Sequence, residues 1–272
     1  MPIRTGEEYI QSLRGRKIKV YLFGELVKEP VDHPMIRPSI NAVAETYNVA
    51  STSPELASAR SSLTGKEVNR FLHIAESADD LVNQNRMQRK LGQLTGTCFQ
   101  RCVGMDALNS LYSTTFEIDK KFGTAYHERF KTFVKKMQDD NLVIGGAMTD
   151  VKGDRSLSPS QQEDPDLFVH ISKRDQNGIY ISGAKAHQTG CINSHWILVM
   201  PTMRLRDEDK QYAFVGAIPA DAEGITYIYG RQSCDTRSME SGDLDAGNSK
   251  FSGQEAMIIF DNAFIPNDLV FM

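Results

Sequence analysis

The sequence is poor in cysteine, in long apolar runs and in excess positive charge. Four cysteines among 272 residues are too few for a disulfide scaffold, so we expect a reducing compartment and metal or redox roles for these thiols. A net charge of -4 argues against nucleic-acid binding by phosphate neutralisation. No apolar run approaches the roughly 18 residues of a membrane-spanning helix, and no basic-then-apolar signal opens the chain. We therefore expect a cytoplasmic protein that binds neither nucleic acid nor membrane.

Two nucleotide-binding signatures are also absent. The chain contains neither the fingerprint G-x-G-x-x-G nor a Walker loop, so a Rossmann dinucleotide site and a P-loop phosphate site lack support. The composition of 40% hydrophobic and 24% charged residues is typical of a folded protein with a buried core. Any cofactor site must therefore be built from other motifs.

Residues 1–140 are predicted to form a helical domain. Thr5 and Glu8 have the spacing of a capping box, in which each residue satisfies a free backbone donor of the other. Ser77, followed by two aspartates, indicates a second helix start, and Thr124 is predicted to cap a third. The other predicted elements are a hairpin at 18–23 and helices near 38–49, 66–76, 78–95 and 97–120.

Residues 141–272 are predicted to form a β-barrel or sandwich domain, so that the fold class is α+β. Short apolar runs alternate with turn signals, which is typical of such domains. Asn177-Gly178 predicts a tight hairpin turn, because this pair tolerates positive φ angles. The predicted strands lie at 142–144, 167–171, 179–181, 195–200, 212–218, 225–229 and 255–260.

The sharpest local feature is the pair Cys98 and Cys102. On a helix, residues four apart share a face, so both sulfurs are predicted to point the same way. Two thiolates on one face form half of a site for zinc or an iron–sulfur cluster. The alternative interpretation is two small buried hydrophobic residues. The spacing is not a standard zinc signature, and two ligands leave such a site incomplete.

Several polar segments are further candidates, each with an ordinary structural alternative. The loop 147–155 offers a hydroxyl, backbone donors and cations that suit a phosphate or polar cofactor. The strand end 183–190 has small residues that let a flat ligand approach, and Thr189 can donate a hydrogen bond. The loop 230–237 is dense in polar groups. Glu255 could act as a base if burial raised its pKa, although an exposed strand-edge acid is commoner.

The chain resembles a known family along essentially its whole length. It is similar to the 4-hydroxybutyryl-CoA dehydratase/vinylacetyl-CoA Δ-isomerase branch of the 4-hydroxyphenylacetate 3-hydroxylase-like flavoproteins, which are built like acyl-CoA dehydrogenases. The cysteine pair separates this branch from the flavin monooxygenases. The motifs that carry the resemblance are VDHPMIRPSINAVAETY (31–47), CFQRCVGMDALNS (98–110), GAMTDVKGDRSLSPS (146–160), GAKAHQTGCINSH (183–195), YGRQSCDTR (229–237) and GQEAMIIFDNAFIPND (253–268).

The resemblance implies two cofactors and a set of site residues. A 4Fe–4S cluster would take Cys98 and Cys102 as two of its four ligands, with Gln100 beside them near the substrate. Glu255 would be a polar active-site residue. FAD would lie between the barrel and a C-terminal four-helix bundle, and Thr189 would lie near its reactive nitrogen. The residues that would line the flavin are Met148, Thr149, Lys152, Gly153, Asp154, Arg155, His187, Gln188 and Thr189.

The resemblance also implies a reaction and partners. The reaction is water elimination from 4-hydroxybutyryl-CoA to crotonyl-CoA by a flavin and iron–sulfur radical mechanism, with vinylacetyl-CoA isomerase activity. In the family a histidine and a cysteine of the bundle complete the cluster, and this chain stops where the bundle should begin. We therefore expect residues 1–272 alone to lack a stable cluster and turnover. A homotetramer or a separate C-terminal chain would complete the site.

Two other functions stay open on the sequence. The chain could be the oxygenase component of a flavin-dependent aromatic monooxygenase of the 4-hydroxyphenylacetate type, although the paired cysteines argue against it. It could also be an inactive fragment with a structural cysteine pair.

Overall fold

The computed structural model describes residues 2–230 and 249–272, and within them helices precede most of the strands. The helices are α1 (Gly6–Ser12), α2 (Arg37–Thr52), α3 (Pro54–Ala57), α4 (Ala78–Thr95), α5 (Cys102–Phe122) and α6 (Tyr126–Asp140). The strands are β1 (Val20–Leu22), β2 (Glu25–Val27), β3 (Ser58–Arg60), β4 (Glu67–Asn69), β5 (Ile144–Ala147), β6 (His170–Arg174), β7 (Gly178–Thr189), β8 (Trp196–Val199), β9 (Gly216–Pro219), β10 (Ile225–Tyr229) and β11 (Glu255–Pro266). No helix of these described ranges is long and apolar enough to cross a membrane.

Two helix starts confirm the sequence prediction. The Thr5 hydroxyl accepts a hydrogen bond from the Glu8 backbone N–H at 3.1 Å, and the Glu8 carboxylate accepts one from the Thr5 backbone at 3.2 Å. Ser77 and Asp80 form the same reciprocal box at the start of α4. Each box satisfies backbone donors that a helix start leaves without a partner inside the helix.

Two predictions about the helical half are wrong. Residues 66–76 form β4 and a single 3-10 turn at Arg70–Leu72, because β4 pairs with β3 in a small antiparallel hairpin. Thr124 does not cap α6; its hydroxyl donates to Asp119. The Asp119 carboxylate itself accepts from the backbone N–H groups of Tyr126 and His127. The cap thus comes from the preceding helix, which a local search of the sequence does not find.

The strands form two main sheets. The larger has the order β2-β1-β10-β11-β7-β6, and the smaller has the order β5-β8-β9. In the larger sheet β1 and β10 run parallel and the remaining neighbours antiparallel. In the smaller sheet β5 and β8 run parallel, so their carboxyl ends meet at one edge. That edge carries the 147–155 loop.

Most strand predictions are confirmed, with two corrections. The β6–β7 hairpin exists, but neither residue of Asn177-Gly178 has a positive φ. Instead the Asp175 carboxylate accepts from the backbone N–H groups of both residues, as in an Asx turn. In the predicted strand 212–218, the first residue ends a 3-10 segment and only Gly216 onwards is strand.

The hydrophobic core joins helices and sheets. One buried cluster contains Tyr9 and Tyr47 from the first two helices together with Ile197, Tyr227 and Ile258 from the strands. A second cluster packs α5 and α6 against β8 and the last residues of the chain. Apolar burial is the main favourable term in folding, and here it joins the helical half to the sheets. The domain division at residue 140 and the closed barrel stay predictions.

Candidate functional site

The cysteine segment, residues 98–102, is not helical as predicted. Helix α5 begins at Cys102, and Gln100 has a φ of 66° in the left-handed region. The chain turns there so that the side chains of Gln100 and Arg101 enter the interior, where they are 1% and 2% exposed. The prediction that the two sulfurs share one face of a helix is therefore wrong, because only Cys102 is helical.

The two sulfurs nevertheless lie side by side. The Cys102 side chain is close enough to lower the pKa of the Cys98 thiol to about 6, aided by the Gln100 backbone N–H. The same contact and burial raise the pKa of Cys102, because its proton is held by Cys98. Cys98 is exposed and Cys102 is half-buried. The pair thus offers one thiolate and one thiol to a ligand that approaches from solvent.

Gln100 lies beneath this pair as a hydrogen-bonding junction. Its amide nitrogen donates to the carbonyl of Ser39 at 2.8 Å and to that of Ser252 at 3.2 Å. Its amide oxygen accepts from Asn193 at 2.7 Å. Gln100 therefore connects α2, the turn after β7 and the segment before β11. Its direct contact with a substrate stays a prediction.

Arg101 is a buried residue that the sequence reasoning missed. Its guanidinium lies between the rings of Tyr47 and Phe71, 4.9 Å from each centroid, and donates to the Thr46 hydroxyl at 3.0 Å. The Nη2 atom has no hydrogen-bond partner among the described residues. Its only sequence signal is a single charge within the apolar stretch Phe99 to Met105. The cation anchors the cysteine segment to the helical core.

The structure brings two of the predicted cofactor-binding segments together. The backbone N–H of Met148 donates to the Gln188 side chain at 2.8 Å, and Gln188 donates in turn to the Thr149 carbonyl at 2.9 Å. The Ala186 N–H donates to the same carbonyl at 2.8 Å. The start of the 147–155 loop thus lies along the end of β7.

The second part of this loop is exposed. Lys152 and Gly153 both have positive φ angles, of 83° and 51°, and a Cβ at Gly153 would approach Leu167 and Gln162 to 2.5 Å. Asp154 and Arg155 are exposed, and the Asp154 carboxylate accepts from Ser156. The structure does not bring their side chains onto β7 as it brings Met148 and Thr149.

Thr189 and Glu255 face each other across β7 and β11. The Thr189 hydroxyl donates to the Glu255 carboxylate at 2.5 Å. A groove of about 290 Å³ lies beside this pair. His187, which is exposed and has a φ of 54°, forms part of its wall. The residues that line the groove are Ala186, His187, Ile228, Gly230, Glu255, Ala256 and Met257. Small residues at its wall admit a flat ligand.

The cysteine segment and this groove lie next to each other. A Cβ built on Gly253 would lie 3.8 Å from that of Cys98. The Glu255 carboxylate is close enough to oppose ionisation of the Cys98 thiol. It therefore acts to raise the pKa of Cys98, although the opposite effect of Cys102 is larger. Two predicted sites that lie far apart in sequence thus meet at the start of β11.

Other candidates have structural roles or lie outside the described residues. His195 is half-buried, its Nδ1 accepts from the Val143 backbone at 3.0 Å, and desolvation lowers its pKa to about 3. Burial raises the pKa of the Cys191 thiol to about 12. The polar loop 231–237 with Cys234 lies outside the described residues. Within the described ranges, no three His, Cys, Asp or Glu side chains form a metal-binding group.

Relatives of known activity match the whole chain. It is 55% identical to the 4-hydroxybutyryl-CoA dehydratase/vinylacetyl-CoA-Δ-isomerase of Clostridium aminobutyricum, over 99% of this chain and 56% of that protein. It is 25% identical to the oxygenase component of 4-hydroxyphenylacetate 3-monooxygenase from Geobacillus sp., with 55% of that protein covered. The chain therefore spans about half the length of the curated relatives it matches.

Solved structures give the same picture. An oxygen-tolerant archaeal 4-hydroxybutyryl-CoA dehydratase from N. maritimus superposes with a TM-score of 0.96 at 74% identity, over 99% of this chain and 54% of that one. The oxygenase component of 4-hydroxyphenylacetate 3-monooxygenase complexed with FAD gives 0.80 at 23% identity, with 99% and 55% covered, which shows the fold alone. Residues 5–272 match the family described as 4-hydroxyphenylacetate 3-hydroxylase N terminal, and the chain belongs to that family.

Proposed function

We propose that this chain is the N-terminal and middle part of a 4-hydroxybutyryl-CoA dehydratase. In this function the protein eliminates water from a CoA thioester to give crotonyl-CoA and isomerises vinylacetyl-CoA. The observation that carries the proposal is that the paired sulfurs of Cys98 and Cys102 adjoin the groove of Thr189 and Glu255. The high identity to dehydratases from two organisms supports the same activity.

The cysteine pair suits an iron–sulfur cluster. Cys98 and Cys102 would supply two thiolate ligands, since their sulfurs are adjacent and Cys98 faces solvent. The two further ligands would come from outside the described residues, which contain no third ligand beside the pair. When bound, a 4Fe–4S cluster supplies a Lewis-acidic iron for the departing hydroxyl. The buried side chains of Gln100 and Arg101, through a hydrogen bond and a ring contact, hold the cysteine segment in place.

The groove suits the flat ring of a flavin. Ala186, Ala256 and Gly230 present little side-chain bulk at its wall, and Thr189 lies beside it, hydrogen-bonded to Glu255. The residues that would hold FAD are those of the Met148–Arg155 loop and of His187 to Thr189. When bound, FAD supplies one-electron redox chemistry. Thr189 would turn its hydroxyl from Glu255 to the ring edge, and Glu255 would accept a proton that leaves the substrate.

The organisation of the complete enzyme is part of the proposal. Residues 1–140 would form the helical domain and residues 141–272 a β-barrel, as in the acyl-CoA dehydrogenase-like fold. A C-terminal four-helix bundle, in the same polypeptide or in a separate chain, would complete the cluster site and cover the groove. A homotetramer in the cytoplasm would be the working form.

The test is anaerobic reconstitution with iron, sulfide and FAD, followed by a crotonyl-CoA assay on 4-hydroxybutyryl-CoA. The protein is assayed alone and with the bundle-bearing segment. Cys98→Ser and Cys102→Ser should lose the cluster absorption and turnover, whereas Cys191→Ala, at a cysteine away from the pair, should keep both. Full turnover in Cys98→Ser, or none in any reconstituted form of the unmodified protein, would refute the proposal.

A second candidate is the oxygenase component of an aromatic monooxygenase. It is favoured by relatives with that activity at 24–28% identity. Hydroxylation of 4-hydroxyphenylacetate with reduced FAD and oxygen, without iron, would support it. A protein that binds neither cofactor beside a complementing chain would instead be an inactive fragment.

A further inference from the structure

Lys185 is a charged residue buried within β7, and the chemistry proposed above does not use it. Its side chain is 2% exposed, yet the ammonium group has three acceptors. They are the Asp150 carboxylate at 2.7 Å, the Met148 carbonyl at 2.8 Å and the Met200 carbonyl at 3.0 Å. An ammonium group has three donors, so each one is matched by an acceptor.

Two of the three acceptors directly follow strands of the other sheet, and the third, Asp150, lies in the loop after β5. Met148 follows β5 and Met200 follows β8, and these two strands run parallel and end side by side. Lys185 comes from the larger sheet and reaches both ends at once. The ammonium thus joins the two sheets where the 147–155 loop leaves the smaller one.

Asp150 extends the same connection. Its carboxylate also accepts from the Val169 backbone at 3.2 Å, and its backbone bridges to that of Lys185. Burial lowers the pKa of Lys185, an effect that the Asp150 charge opposes. A buried ion pair is costly to form and is weak evidence for a role in stability alone. The ion pair lies at the start of the 147–155 loop, which indicates a role in holding that loop in place.

We propose that Lys185 is a positioning residue that fixes the backbone of residues 148–152 and thereby sets the affinity for flavin. The inference rests on the proposed flavin site. Lys185 holds the Met148 carbonyl while Gln188 holds the Met148 N–H and the Thr149 carbonyl. Both peptide groups around Met148 are therefore restrained, so that a ligand meets a preformed backbone with little ordering cost.

The experiment compares three variants with the unmodified protein, complete with its bundle-bearing segment. Lys185→Met strands the buried Asp150 carboxylate and should lower the melting temperature. The double variant Lys185→Met with Asp150→Leu removes both charges, and its melting temperature should return close to that of the unmodified protein. Lys173→Met, at an exposed lysine of β6, is the matched control. FAD dissociation constants and amide hydrogen exchange of residues 148–152 are measured for all of them.

The double variant decides the question, because its stability is restored while its loop lacks the ammonium. We expect its loop amides to exchange faster and its affinity for FAD to fall by about tenfold or more, as when an outer-shell support of a site is removed. Unchanged exchange, or faster exchange with unchanged FAD affinity, would overturn the proposal. If the unmodified protein bound no FAD, the proposed function would fail at the flavin site. The exchange rates would then still decide whether Lys185 holds the loop.

Discussion

One buried cation supports the cysteine segment and another supports the 147–155 loop, but the two cations have different partners. Arg101 lies between two aromatic rings, and no carboxylate of the described ranges forms an ion pair with it. Lys185 is paired with Asp150 and two carbonyls. In both regions, buried neighbours hold the solvent-facing residues in position.

The difference concerns what remains when the cation is removed. Without Lys185, the Asp150 carboxylate would stay buried with an unpaired charge. Without Arg101, no opposite charge of the described residues would be stranded. Its packing between Tyr47 and Phe71 and its hydrogen bond to the Thr46 hydroxyl would be lost. Removal of Lys185 should therefore cost more than a well-filled replacement of Arg101.

The variant with the greatest expected loss of stability changes Lys185, the cation that is paired with a carboxylate. Lys185→Met should lower the free energy of unfolding by about 3–5 kcal/mol, because it leaves a buried carboxylate uncompensated. Urea denaturation followed by circular dichroism measures this loss. The double change with Asp150→Leu should recover most of it. A loss below about 1 kcal/mol in the single variant would contradict the argument.

Arg101 should respond to the size of its replacement more than to its charge. Arg101→Ala leaves a gap between two rings and should cost on the order of 3 kcal/mol, whereas Arg101→Met fills the gap and should cost about 1 kcal/mol. The same denaturation measurement applies. Arg155→Ala, at an exposed arginine, is the control and should change stability by less than about 0.5 kcal/mol. Equal losses in both Arg101 variants would show that the charge itself stabilises the segment.

The thiol pair predicts a pH dependence in the metal-free protein. Alkylation of Cys98 by iodoacetamide should rise with pH around a midpoint of about 6, since the thiolate forms above that pH. Cys102→Ala removes a donor to this thiolate, a bond worth about 1.5–3 kcal/mol, so the midpoint should move upward by about 1–2 pH units. Peptide mass spectrometry reads the labelled fraction. With Cys191→Ala the midpoint should stay in place, and an unmoved midpoint in Cys102→Ala would contradict the sulfur contact.

The smallest effect concerns the cap of α6, which lies away from both regions. Asp119→Ala should cost about 1 kcal/mol, because two backbone N–H groups lose their acceptor. Amide exchange at residues 126–128 should increase, while Thr124→Val should change it less. Similar increases in both variants would assign the cap to Thr124 after all.

Local signals predicted much of the fold. The boxes at Thr5 and Ser77 and the helix 78–95 depend on neighbours within a few residues, so the sequence alone indicates them. The apolar runs near 196, 225 and 255 also indicated strands, although the partner strands lie far away in the chain. The predictions failed for β4, which pairs with the preceding strand β3 in a hairpin, and for the α6 cap, which Asp119 of the preceding helix supplies from outside the usual capping position. In the candidate site the motifs named the cysteines and the loop, but the helical spacing argument for the sulfurs was wrong.

The amino-acid sequence alone specifies which groups are available: two thiols four residues apart, a threonine and a glutamate in strands, and a polar loop after β5. These groups meet through long-range contacts, because β7 pairs with β11 and thereby brings Thr189 to Glu255. Such contacts also decide which polar residues are buried beneath them. Burial of Arg101 and Lys185 depends on surfaces contributed by distant segments, so no local pattern reveals it.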